Sequence, residues 1–365
     1  MELVFKLIYK TALELLDNPN IVKQIFPSKF LNYDPNFLCK AYRNERALDG
    51  RIPYREEVSW IGSALSGTIG ANGDIKIRRI EGNFKLEHDS VQLRSFQGAA
   101  YSAFTHSKGL PRDTDVIRLD SVDISDGKTT LIIQKAKYSD QVQSNLVMDW
   151  PGPHALKEDS RIETLRAYMS GTYPNSLPSF ADKRLANTIG ISVILFYKNE
   201  GGFLVPYLPK RSKGILKKKK ILAVHEGGFN CSASGAAEWN HDPSQTFQNT
   251  FVADMLREIE EEVGIYPDEI KVITPLALCR EFLRGGKPQI FFGGVVDLSL
   301  EDLIKKRKAA IKRQATGDKI EIEDDQLIID DFDQFKHELP QKGITLEAIA
   351  NLYYADKFIG QYPDT

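Results

Sequence analysis

The spacing of apolar positions divides the chain into a strand-rich first half and a second half in which long apolar runs flank one amphipathic helix. Met1 to Leu16 has helical spacing and is stopped by Asp17-Asn18-Pro19, which predicts an amphipathic docking helix. Glu2, Lys6 and Lys10 interrupt it too often for a secretory segment or a membrane span. Two hairpin signals follow. Asn72-Gly73 precedes Asp74-Ile75-Lys76-Ile77, and Asp126-Gly127 separates Val116–Ile124 from Thr129–Gln134. Residues 1–150 therefore read as an α+β, β-rich domain. Pro151, Gly152, Pro153, Gly171, Pro174 and Pro178 surround one short helical stretch, Arg161–Met169, and mark 151–184 as a connector.

The second half, 185–365, opens with the β-prone runs Ile189–Tyr197 and Phe203–Leu208, separated by Asn199-Glu200-Gly201-Gly202. Phe251–Val263 has helical spacing, with Gly264 at the position of a C-terminal cap. Strands are predicted at Ile273–Phe282 and Gln289–Val296, joined through Arg284-Gly285-Gly286-Lys287-Pro288, and a last helix over Thr345–Phe358.

Composition adds little to this picture. The 365 residues, 42% hydrophobic and 27% charged, are those of an ordinary globular chain long enough for two domains. A formal net charge of −2 provides no global attraction to nucleic acid or an anionic membrane. The cysteines, Cys39, Cys231 and Cys279, are odd in number and widely spaced, which predicts neither a disulfide framework nor a zinc site and fits a reducing cytoplasm.

Chemistry concentrates in Arg257-Glu258-Ile259-Glu260-Glu261-Glu262-Val263-Gly264-Ile265. On a helix, Glu258, Glu261 and Glu262 stand at i, i+3 and i+4 and share a face, while Val252, Met255, Leu256, Ile259 and Val263 form the adjacent apolar stripe. Crowded carboxylates repel one another, and hard oxygen ligands at this density suit Mg²⁺ or Mn²⁺. Arg257 is placed to orient one of them. The plainer reading is a solvated acidic face.

The segment resembles the Nudix box, whose second part reads Arg-Glu-aliphatic-any-Glu-Glu-any-Gly-aliphatic; every defined position matches from Arg257 to Ile265. Upstream, Ser234-Gly235-Ala236-Ala237-Glu238 resembles the Gly-Gly-any-any-Glu loop that enters the motif. The two parts do not fit one continuous pattern. His241 stands where a glutamate is required from Gly235, and the distance to Arg257 is about eight residues too long, so the loop carries an insertion.

The resemblance covers roughly residues 185–300. It implies a Nudix-type α/β/α sandwich around a mixed sheet and Mg²⁺- or Mn²⁺-assisted hydrolysis of a diphosphate linkage in a nucleotide derivative. Position by position, it makes Glu258, Glu261 and Glu262 metal ligands, or one of them the base, and the Ser234 carbonyl a further ligand. Gly235 and Glu238 fall in the substrate loop. Glu281 is a candidate extra acid, balanced against a salt bridge to Arg280 or Arg284. Lys210 and Arg211 are candidate phosphate contacts, Lys217 with its neighbours Lys218–Lys220 a local site for polyphosphate or RNA, and Phe282 a base-stacking ring, each against a solvated or core role. Asp254 is either an extra carboxylate or a helix N-terminal charge. The competing classes are a nucleotide-sensing module coupled to the first half and, more remotely, RNA decapping or a diphosphate isomerase, which would need a reactive cysteine and acid that Cys231 or Cys279 alone does not establish. No membrane partner is expected, and a homodimer stays open.

Overall fold

The structure is a computed structural model and describes residues 30–61, 75–108, 113–152, 162–210, 228–239, 246–314, 326–336 and 343–360. The opening amphipathic stretch, the Asn72-Gly73 turn, Arg211 and Lys217–Lys220 lie outside these residues. The protein is mixed α/β. Among the described residues its central sheet has six strands: β1 (Tyr54–Ser59), β5 (Gly190–Lys198), β6 (Leu204–Pro206), β8 (Ala233–Ala236), β9 (Ile270–Glu281) and β10 (Lys287–Val296). The order is β1-β9-β10-β5-β6, with β8 also paired to β5; β10 and β5 run parallel and the other neighbours antiparallel. β5 is buried along its length except at Lys198, as a strand covered on both faces requires.

A second sheet, in the order β2-β4-β3, is built from β2 (Ile75–Asn83), β3 (Asp115–Ser125) and β4 (Lys128–Lys137). Asp126 and Gly127 join β3 to β4 with φ of 51° and 72°, the left-handed pair that a tight hairpin turn needs. β7 (Leu208–Pro209) pairs with β11 (Gln326–Leu327) as a minor ribbon.

Eight helices are described: α1 (Pro35–Ala41), α2 (Val91–Lys108), α3 (Tyr138–Gln143), α4 (Leu165–Thr172), α5 (Ala253–Glu262), α6 (Leu300–Gln314), α7 (Phe332–Lys336) and α8 (Leu346–Ile359). α5 packs on β8 and β5, and α8 on β10, β5 and β9. They occupy opposite faces of the sheet. Gly235, beneath α5, is paired with Ile191, whereas α8 reaches the next residue, Ser192, through Asn351, and successive residues of a strand face opposite ways.

The two halves are closely joined. β1 extends the central sheet beyond β9, and Ile117 of β3 donates its N–H to Ala237 O (2.9 Å) while accepting from Ile189 N–H (2.8 Å). One apolar cluster runs from Leu48, Tyr54, Ile117 and Leu131 to Phe292 and Phe358. Within the stretch read as a connector, Arg166 on α4 is buried. Its guanidinium bonds both carboxylate oxygens of Asp149 (2.6 and 2.7 Å), the Tyr42 hydroxyl (2.7 Å) and the carbonyls of Phe282 (2.8 Å) and Leu283 (2.7 Å). That set satisfies a buried guanidinium and ties α4 to the end of β9. The predicted short helix thus lies at Leu165–Thr172 and packs with Trp150 and Phe282.

Candidate active site

A π-helical turn, Gln248–Val252, leads directly into α5. Phe251, Val252, Met255, Ile259 and Val263 are fully buried, so the apolar stripe anchors the helix and leaves the acidic positions facing the β8 loop. The helix stops at Val263. Gly264 takes φ of 79° and donates to the carbonyls of Ile259 and Glu260 (both 3.1 Å). A β-carbon there would stand 2.7 Å from the Lys306 carbonyl of α6, so glycine is required for close approach as well as for φ.

The β8 loop and α5 meet at three points, despite the insertion between them. Ser234 N–H donates to Glu262 Oε2 (2.9 Å), and Glu238 N–H donates to Asp254 Oδ2 (2.8 Å). Between these contacts the Glu258 carboxyl lies over Gly235, where a β-carbon would be 2.5 Å from its Cδ. Ser234 therefore meets α5 through its amide, and Gly235 provides the space that the Glu258 carboxyl occupies.

Arg257 organises the acids. Its Nη2 donates to Asp254 Oδ1 (2.6 Å) and Glu258 Oε1 (2.8 Å), its Nε to Asp254 Oδ1 (3.0 Å) and its Nη1 to Glu261 Oε1 (2.9 Å); Glu238 Oε1 lies at 3.8 Å. Glu258 is pushed up to about 8 by burial first and then by Glu262, with Arg257 opposing and Asp254 and Glu261 adding repulsion. Asp254 is also raised, chiefly by burial, against the pull of Arg257. Glu258 and Glu262 thus sense each other, while Glu261, half exposed, is engaged by Arg257. Among the described residues no three His, Cys, Asp or Glu side chains are gathered as a metal-holding group.

Most of the remaining candidates are engaged within the fold. Glu281 is buried and paired with Arg284 Nη1 (2.6 Å), the salt-bridge option of the sequence reading. Phe282 is fully buried, edge-on to Tyr42 at 5.3 Å, so its ring packs in the core rather than facing a base. Lys210 forms a bridge with Phe229, and its carbonyl accepts from Arg307 of α6 (2.9 Å). Cys231 and Cys279 are buried, and burial raises the Cys279 thiol.

Asp254 does more than place a charge at the helix N-terminus: it links the Glu238 amide to the Arg257 guanidinium. The signal was its i, i+3 spacing to Arg257, a productive ion-pair distance on a helix.

No family profile matches the sequence, and no curated protein matches it. A solved structure of a Nudix hydrolase from M. Smegmatis, RenU, is similar over 48% of this chain and 89% of its own, at 9% identity and a TM-score of 0.27. Among the described residues no helix is long and apolar enough to cross a membrane.

Proposed function

We propose that the protein is a Nudix-type pyrophosphohydrolase that cuts a phosphoanhydride bond in a nucleoside diphosphate linked to a further moiety, with Mg²⁺ or Mn²⁺. The observation that carries this reading is the seating of Glu258 over Gly235 with Glu262 on the Ser234 amide. It joins the two separated parts of the motif into one carboxylate-lined surface. In this reading the central sheet, covered by α5 and α8, is the Nudix sandwich.

The donor types suit a hard divalent cation, with oxygen ligands only and a buried carboxyl whose neighbours disfavour its charged form; Glu258, Glu261 and Glu262 are not gathered as a metal-holding group here, so the ion would have to draw them together and release Glu261 from Arg257. Glu258, Glu261 and Glu262 would hold the ion, which when bound supplies neutralisation of phosphate oxygens and a more acidic water. The protein's own residues prepare the surface. Asp254 fixes Arg257, Arg257 orients Glu258 and Glu261, and a carboxylate of this group accepts the proton of the attacking water. Lys210, with Arg211 and Lys217, would meet substrate phosphates as charge-assisted donors.

One observation favours a second reading, in which the site binds a nucleotide without turning it over: Glu261 is held by Arg257. Incubation of the purified chain with Mg²⁺ and a panel of diphosphate-linked nucleotides, read by chromatography, separates the two. Release of a nucleoside monophosphate is expected. Binding of a panel member without product would leave the sensing role, and neither binding nor product would overturn both.

A further inference from the structure

On the opposite face of the sheet from α5, three buried donors gather near the start of β5. Lys287, 4% exposed, has one hydrogen-bond acceptor among the described contacts, Gln289 Oε1 at 3.3 Å. Arg284, 8% exposed, uses Nη1 on Glu281 but leaves Nε buried without a partner. The Tyr54 hydroxyl, on a residue 1% exposed, is likewise buried and unpartnered. Arg284 interacts electrostatically with Tyr54 and with Lys287, and all three sense Glu281 and Glu347.

Gly190 forms the floor. A β-carbon there would collide with both Lys287 Nζ and Gln289 Oε1, so the two polar side chains lie directly across β5. Glu347, in the first turn of α8 and only partly buried, closes the other side and accepts from Gln289 Nε2 (3.1 Å). Buried polar groups are ordinarily hydrogen-bonded, and an ammonium in this setting ordinarily has a counter-ion. Burial and the adjacent Arg284 lower Lys287 to about 8, the response of an ammonium short of acceptors.

We propose that Tyr54, Arg284 and Lys287 form a binding site for a small monoanion with two or more acceptor oxygens, a carboxylate or a phosphodiester group. The missing partners at Tyr54 Oη, Arg284 Nε and Lys287 Nζ can all be supplied by acceptors. Formal charge sets the valence: Glu281 is taken up by Arg284 and Glu347 is partly exposed and held by Gln289, so Lys287 is the cation left to balance, and one negative charge matches it where two would not. The site is separated from Glu258 by the sheet and does not depend on hydrolysis at α5.

The test is a calorimetric titration of the full chain with acetate and with dimethyl phosphate, alongside Tyr54→Phe, Lys287→Met and Glu258→Gln. Saturable binding of one probe is expected, and the tighter probe identifies the source as carboxylate or phosphodiester. Tyr54→Phe removes a buried hydroxyl that has no protein partner, so the melting temperature without added anion should equal or exceed that of the parent. Its affinity for the anion should fall about tenfold, as should that of Lys287→Met. Glu258→Gln should bind the anion normally. Failure of both probes to saturate, or unchanged affinity in both Tyr54→Phe and Lys287→Met, would overturn the site.

Discussion

The carboxyl of Glu258 occupies the volume that a side chain at Gly235 would fill, the β-carbon position being 2.5 Å from Glu258 Cδ. This relationship joins two stretches that an insertion separates in sequence, and it makes the geometry of the proposed catalytic surface sensitive to one methyl group. Gly235→Ala should leave the fold intact, because the obstructing atoms end a flexible side chain, yet lower kcat at least tenfold by displacing Glu258. Turnover of the best substrate and thermal melting, measured together, check both halves of the statement.

Glu258→Gln should reduce turnover by about 10²- to 10⁴-fold, the usual weight of a group that manages a proton. Stability should hold or rise, since a carboxyl crowded by Glu262, Asp254 and Glu261 is replaced by a neutral amide. A variant that unfolds instead would mean that Glu258 is a structural residue.

Asp254 is a positioning residue: it touches Arg257 and the Glu238 amide, while Arg257 touches Glu258 and Glu261. Asp254→Asn should weaken the charge-assisted bonds, destabilise by about 1–3 kcal/mol and lower kcat with little change in KM. A double-mutant cycle with Arg257→Gln should reveal strong coupling; additive effects would remove Asp254 from this chain of contacts.

The Lys287 ammonium gives a pH signature whose sign follows from linkage. Its folded value, about 8, lies below the ordinary 10.5, so between these values the unfolded chain binds more protons and stability rises with pH. The penalty, roughly 3 kcal/mol, is fully present below pH 8 and is relieved as pH approaches 10.5. Lys287→Met should be more stable than the parent at pH 7, and the difference should shrink towards pH 10 in denaturant unfolding.

Arg166→Met should be among the most damaging single changes, at about 3–5 kcal/mol, because it strands the buried Asp149 carboxylate and two main-chain carbonyls. Urea unfolding of the variant tests this directly, and a loss below 1 kcal/mol would mean that water replaces the guanidinium.

Local pattern was enough for some features. The Asp126-Gly127 turn, the β9–β10 pair around Gly285-Gly286 and the end of α5 at Gly264 follow from backbone preferences that belong to a few residues, and the common face of Glu258, Glu261 and Glu262 follows from helical period alone. Other features required tertiary structure. Tyr54–Ser59 carries only two apolar residues, and its place at the edge of the central sheet depends on pairing with β9, far away in sequence. For Glu281 and Phe282 local pattern allows either chemistry or a structural role, and the choice is made by Arg284 and Tyr42, which pack against them in the folded chain. Lys287 and Gln289 left a faint trace, two polar residues at alternate positions beside an apolar strand, but which side chains face them depends on how α8, β1 and β5 pack. Sequence by itself determined the turns, the helix period and the alignment of acids along one face, because those are set by neighbours in the chain. Which acids are coupled to one another, which are spoken for by arginine and which donors are buried without acceptors was decided only by the tertiary structure, since burial and electrostatic coupling depend on distances that the chain order does not contain.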